Sequence, residues 1–86
     1  MGWETKIRMV KAAARETNEG LGAMLAEAGG GMLSYNTWRV IVGLIASGYI
    51  LPSKRTAPVL NRVCAALSAA AAEADVEDLD RIEREA

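Results

Sequence analysis

Tyr35, Asn36 and Arg39 are the side chains best suited to recognition chemistry in this sequence. They fall at the start of the stretch 34–51, SYNTWRVIVGLIASGYIL, together with Ser34 and Thr37. An Arg guanidinium donates two parallel hydrogen bonds to a guanine edge, and an Asn amide pairs with adenine. Ser34 and Thr37 either cap a helix or hold a phosphate oxygen. Further on, Lys54 and Arg55 form a basic loop whose charges suit phosphates. Bond-breaking chemistry is poorly supplied. There is no His, which removes Ser-His and Cys-His nucleophile pairs and the common zinc sites. The single Cys64 lies among apolar residues and reads as a small core side chain. The carboxylates crowd residues 73–85 or stand singly elsewhere, and the acidic run lacks the Gly and ligand spacing of a calcium loop. Gly29, Gly30 and Gly31 are not a phosphate loop, because no Gly-Lys-Ser/Thr follows them. The sequence therefore predicts no enzyme, no cofactor and no metal site.

The element that must carry Asn36 and Arg39 is a helix. Wrapped at 3.6 residues per turn, residues 37–47 place Trp38, Ile41, Val42 and Ile45 on one face, a core stripe. The same wheel places Asn36, Arg39, Gly43 and Ser47 on the opposite face. That pattern fits a helix presented to a DNA groove, and it also fits the central buried helix of a small bundle. Upstream, residues 3–15 read as a helix with a Trp3, Ile7, Val10, Ala14 stripe and with Lys6, Arg8, Lys11 and Arg15 on its other sides. Thr17 or Asn18 caps a short helix over 21–28, whose inward face is Leu21, Met24, Leu25 and Ala28. Gly20 and Gly22 weaken it by ~1 kcal/mol each relative to Ala. They either admit another backbone closely or are incidental. The three glycines end it, since Gly accepts a positive φ at a helix C-terminus.

Gly48 ends the central helix, and Tyr49, Ile50 and Leu51 are extended before Pro52. Thr56 caps the following helix, which admits Pro58 in its first turn. Its inward face is Leu60, Val63, Cys64 and Leu67. A nearly pure Ala run leads to Asp75, where either a new helix starts or the old one continues. Val76, Leu79 and Ile82 then recur at i, i+3, i+6, either against the body or against a second subunit.

A chain of 86 residues makes one small domain. With 51% hydrophobic residues, rich in Ala and Leu, it predicts an all-α fold: a compact bundle of about five helices with an acidic C-terminal helix. Residues 1–74 form the body and residues 75–86 the acidic helix or tail. One Cys excludes an internal disulfide and fits a cytoplasmic location. The N-terminal residues carry charges throughout, unlike a secretory signal. The longest uncharged apolar run, 40–51, is too short for the ~20 residues of a membrane span. The net charge of −1 is unevenly spread. Residues 1–62 hold eight Lys/Arg against four Asp/Glu, a balance of +4, and residues 63–86 hold two against seven, a balance of −5.

Residues 20–67 resemble the lambda-repressor/Cro-like helix-turn-helix family. Leu25-Ala26-Glu27-Ala28 closes a short helix before a Gly turn, and Ser34-Tyr35-Asn36-Thr37-Trp38-Arg39 opens the recognition helix. Gly48 followed by Pro52-Ser53, and Thr56-Ala57-Pro58-Val59-Leu60 leading to Val63-Cys64-Ala65-Ala66-Leu67, complete the match. The resemblance implies a small phage or actinobacterial Cro-like repressor, with its recognition helix (34–47) in the major groove of a near-palindromic operator. It implies that Tyr35, Asn36 and Arg39 read bases, that Ser34 and Thr37 hold phosphate or cap the helix, and that Lys54 and Arg55 reach the backbone. A homodimer through Val76, Leu79 and Ile82 is expected, with no small-molecule effector site. Locally, 37–50 also resembles a winged-helix recognition helix, but no second wing strand follows Pro52. The competing expectation is a helical protein-interaction module, antitoxin-like or host-factor-binding, without DNA binding. The near-neutral charge and the apolar central helix favour it.

Overall fold

Thr17 and Ser34 each stand directly before a run of helix-forming residues, and each opens a helix. The structure, a computed structural model, describes residues 2–85, with side chains described through residue 74. Four helices follow in order: α1 (Trp3–Ala14), α2 (Asn18–Ala28), α3 (Tyr35–Ala46) and α4 (Ala57–Glu85). There is no strand among the described residues. The sequence predicted about five helices. The difference lies near Asp75, where α4 continues, because no Gly or Pro interrupts the chain after Pro58 and the Ala run favours helix.

α1 ends at Arg15, a left-handed residue with φ 53°. Its N–H bonds the Ala12 carbonyl at 3.3 Å and the Glu16 N–H bonds that of Lys11 at 2.9 Å, closing the last turn. Thr17 then caps α2, its hydroxyl accepting the Gly20 N–H at 3.0 Å. Gly30 and Gly31 take φ values of 61° and 86°, which turn the chain between α2 and α3. Ser34 caps α3 by accepting the Thr37 N–H at 3.2 Å. At the far end of α3, Gly48 adopts φ 79°. Its N–H bonds the Ile45 carbonyl at 3.0 Å and the Tyr49 N–H bonds that of Leu44 at 2.9 Å.

The core draws on every helix: Ile7 and Val10, Leu21 and Leu25, Trp38, Val42 and Ile45, and Val59, Leu60, Val63 and Cys64. Seven of these side chains are essentially sealed from water, led by Trp38. Each such large apolar side chain contributes ~1.5–3 kcal/mol relative to an exposed position. The predicted α3 stripe is the buried stripe. α2 crosses α3 at Gly22, where a Cβ would stand 3.1 Å from the backbone N and Cα of Arg39 and from its Cβ. Gly22 therefore admits the α3 backbone itself, and the close approach fixes how the two helices sit.

α1 is tied to the body by its cations. Arg8 donates to the Ala46 carbonyl at 2.8 Å, in the last turn of α3, where positive charge is favoured. Lys6 donates to Asn61 and lies over the Trp3 ring, while Lys11 donates to Asn18.

Candidate nucleic-acid interface

α3 exposes two different surfaces. Its first turn is polar: Ser34, Tyr35, Asn36 and Thr37 are all exposed. The Ser34 and Thr37 hydroxyls lie 2.9 Å apart, and Ser34 also accepts the Thr37 N–H, so both are engaged in the cap. The first N–H groups of a helix have no partner within it. With Thr37 capped, those of Tyr35 and Asn36 face outward at the positive end of the helix dipole. Farther along, the outward face is apolar, with Val40 50% and Leu44 36% exposed.

Arg39 departs from the sequence expectation. The wheel put it opposite the core stripe, but its backbone packs on Gly22 and the residue is only half-exposed. Arg39 thus lies on the flank of α3 beside α2, and Val40 and Leu44 occupy the face assigned to it. The sequence carried a signal for this in Gly22, whose missing side chain invites a neighbouring backbone.

Lys54 and Arg55 are exposed in the turn before α4. That turn is held by reciprocal hydrogen bonds: Ser53 N–H to Thr56 Oγ1 at 2.9 Å, and Thr56 N–H to Ser53 Oγ at 3.2 Å. Thr56 is nearly buried. It precedes α4 as expected, its carbonyl accepting the Leu60 N–H at 3.0 Å, but its hydroxyl turns back to Ser53. Met32, Leu33, Ser53, Arg55 and Thr56 line one cleft of about 180 Å³. The basic turn therefore sits against the segment that leads into the α3 N-terminus.

The chain reaches this turn from the opposite end of α3. Residues 49–53 therefore run from the Gly48 end of α3 back to Met32 and Leu33, which precede its N-terminus. Tyr49 and Leu51 stand 79% and 77% exposed on this return. A charge feature joins these parts. Residues 28–72 contain no Asp or Glu, while Arg39, Lys54, Arg55 and Arg62 lie within them. The α3 end, the return segment and the basic turn thus share one uninterrupted cationic stretch of chain.

The expected dimer residues Val76, Leu79 and Ile82 lie outside the residues whose side chains are described. Among the described residues no group of three or more His, Cys, Asp or Glu is placed to hold a metal ion. No described helix is long and apolar enough to cross a membrane. Burial pushes the Cys64 thiol above its ordinary pKa, partly offset by the Lys6 charge. At neutral pH it is a protonated core thiol and a poor nucleophile.

No protein-family model, no curated protein and no solved structure matches this chain.

Proposed function

We propose that the protein is a sequence-specific DNA-binding regulator of the Cro-like kind. The observation that supports this most is the packing of the turn that carries Lys54 and Arg55 against Met32 and Leu33, which lead into the capped α3 N-terminus, in a stretch of chain without carboxylates. In this reading Tyr35 and Asn36 face base edges and Arg39 approaches from the flank of α3. Lys54 and Arg55 hold the phosphate backbone, as do the N–H groups at the helix end. The connection between α2 and α3 is six residues, 29–34, longer than the three or four of a tight helix-turn-helix. The apolar middle of α3 limits base reading to the first turn of the helix. A near-palindromic operator and a second copy of the chain belong to the same proposal.

The test is fluorescence anisotropy with labelled DNA from around the protein's own gene, at two salt concentrations. Contacts to 6–10 phosphates cost ~10³–10⁵ in affinity between ~50 and ~200 mM salt. Asn36→Ala is expected to lose ~1–3 kcal/mol on one operator and to relax specificity at one position. Lys54→Ala is expected to weaken all sequences alike and lower the salt slope by ~1. Absence of binding at low salt to any tested duplex sinks the proposal.

The exposed apolar residues Val40, Leu44, Tyr49, Ile50 and Leu51 favour a second reading, a helical module that binds another protein. That reading predicts no salt-sensitive DNA affinity and a stoichiometric protein complex weakened by Leu51→Asp.

A further inference from the structure

We propose that the trough between α1 and α4 seats a second copy of this chain, which fills it with the acidic end of its own α4, residues 75–85. Two clefts of about 330 Å³ each share Ala13, and the first of them is the trough. The first has an apolar floor that includes Met9, Val10 and Cys64, with Lys6 the charged residue on its wall. The second, walled by Ala14, Leu67 and three alanines of α4 with Arg15 at its rim, opens on a face of α4 about a third of a turn away. Neither cleft is lined by a carboxylate. Lys6 thus stands on the wall of an apolar groove whose small side chains, Ala13 and Ala65, admit a helix closely.

The chain itself carries a matching occupant. Residues 75–85 hold six Asp/Glu and two Arg, and their apolar residues Val76, Leu79 and Ile82 recur at i, i+3, i+6. An amphipathic helix with acidic flanks is complementary to an apolar groove with a cationic wall. The segment cannot fill the trough of its own molecule. It continues α4 without a break, and α4 is one wall of that trough. α1 runs beside α4 from Lys6 at Asn61 to Arg15 at Ala71 and Ala74, so it ends where the acidic segment begins. The occupant must come from another copy.

An isologous pair satisfies both copies at once. With the two α4 helices antiparallel and a two-fold axis near Glu73, position 75 of one copy is level with Ala71 of the other, close to Arg15. Positions 83 and 85 are level with Val63 and Asn61, close to Lys6. Leu79 is level with Leu67. Lys6, the cation of the trough, therefore meets acidic positions in this register. This assembly does not depend on DNA binding.

The test is sedimentation velocity on the full chain across a concentration series, with far-UV circular dichroism as a fold control. The wild type is expected to shift from 9.1 kDa toward twice that mass. Ala13→Glu sets a carboxylate in the lining of the trough and is expected to weaken self-association by about two orders of magnitude. Ala13→Gln, of the same size, is expected to weaken it far less. Leu79→Glu alters the occupant beyond the end of α1, and its expected loss of the dimer decides the matter should Ala13→Glu change the helix content. A wild type that stays at 9.1 kDa throughout overturns the proposal, as does a dimer indifferent to both Glu variants.

Discussion

Replacing Gly22 with Ala inverts the usual effect of that change in a helix. Gly→Ala within a helix ordinarily gains ~1 kcal/mol from propensity alone. At Gly22 the new Cβ would stand 3.1 Å from three Arg39 atoms, two of them backbone. A helical backbone does not swing aside as a flexible side chain does, so α2 and α3 must part. Overpacking of this kind costs ~1–3 kcal/mol. The expected net is a loss of ~1 kcal/mol, or a fall in Tm of ~4–8 °C for a domain of this size. Gly43 supplies the control, because its Cβ would meet Asn18 Nδ2 at 3.4 Å, an ordinary contact. Gly43→Ala should therefore gain ~0.5–1 kcal/mol. Thermal melts of both variants, followed by circular dichroism, separate them by roughly 2 kcal/mol. A Gly22→Ala protein that melts above wild type, alongside Gly43→Ala, refutes the close crossing of α2 and α3 and the placement of Arg39 derived from it.

Other expectations follow from single contacts. Arg15 holds a left-handed conformation that costs an ordinary residue ~1–2 kcal/mol, so Arg15→Gly should raise the melting temperature by several degrees. Ser34→Ala removes the α3 cap and should cost ~1 kcal/mol in denaturant unfolding, besides weakening any ligand held at that helix end. The raised Cys64 pKa keeps the folded thiol protonated where the unfolded thiol ionises. Its contribution to stability is complete below the ordinary thiol value of 9.0 and declines as pH rises through the higher folded pKa. Melts from pH 7 upward should show the wild type losing stability relative to Cys64→Ala, and parallel curves would contradict the burial. The Trp38 indole N–H is buried without a hydrogen-bond partner. An unmet buried donor costs ~1–3 kcal/mol, so Trp38→Phe, which removes it, should cost less than the ~3–5 kcal/mol of Trp38→Ala.

The sequence was most legible where periodicity alone decides. Trp38, Val42 and Ile45 are buried as their spacing requires, and Leu60, Val63 and Cys64 likewise. Caps at Ser34 and Thr17 were also legible, because a hydroxyl before an apolar-periodic run has a local reason to be there. What escaped the sequence depends on partners far along the chain. Arg39 sits about a third of a turn from the centre of its stripe, at the edge of the outward face, and only the position of α2 decides whether that edge meets water or Gly22. The cations of α1 looked like surface charges, yet the Ala46 carbonyl and the Asn18 and Asn61 amides, all outside α1, claim three of them. Asp75 is compatible with both a cap and a helix interior, so the unbroken course of α4 was not decided locally.

The pairing of α1 with α4 joins residues 55 apart in the chain, as in the contact between Lys6 and Asn61. α2 and α3, by contrast, are neighbours separated by six residues. Closing a long loop before any contact rewards it is slow, whereas a short connection closes readily. The α2–α3 pair is therefore the natural nucleus, and the part of α1 that packs on α4 is the last to find its partner. During synthesis the sequence up to Leu51 leaves Ile7, Leu21 and Trp38 without the lid that Leu60 and Val63 provide. The protein acquires its sealed interior, and with it the shape of its cationic end, only after the first turns of α4 have been made.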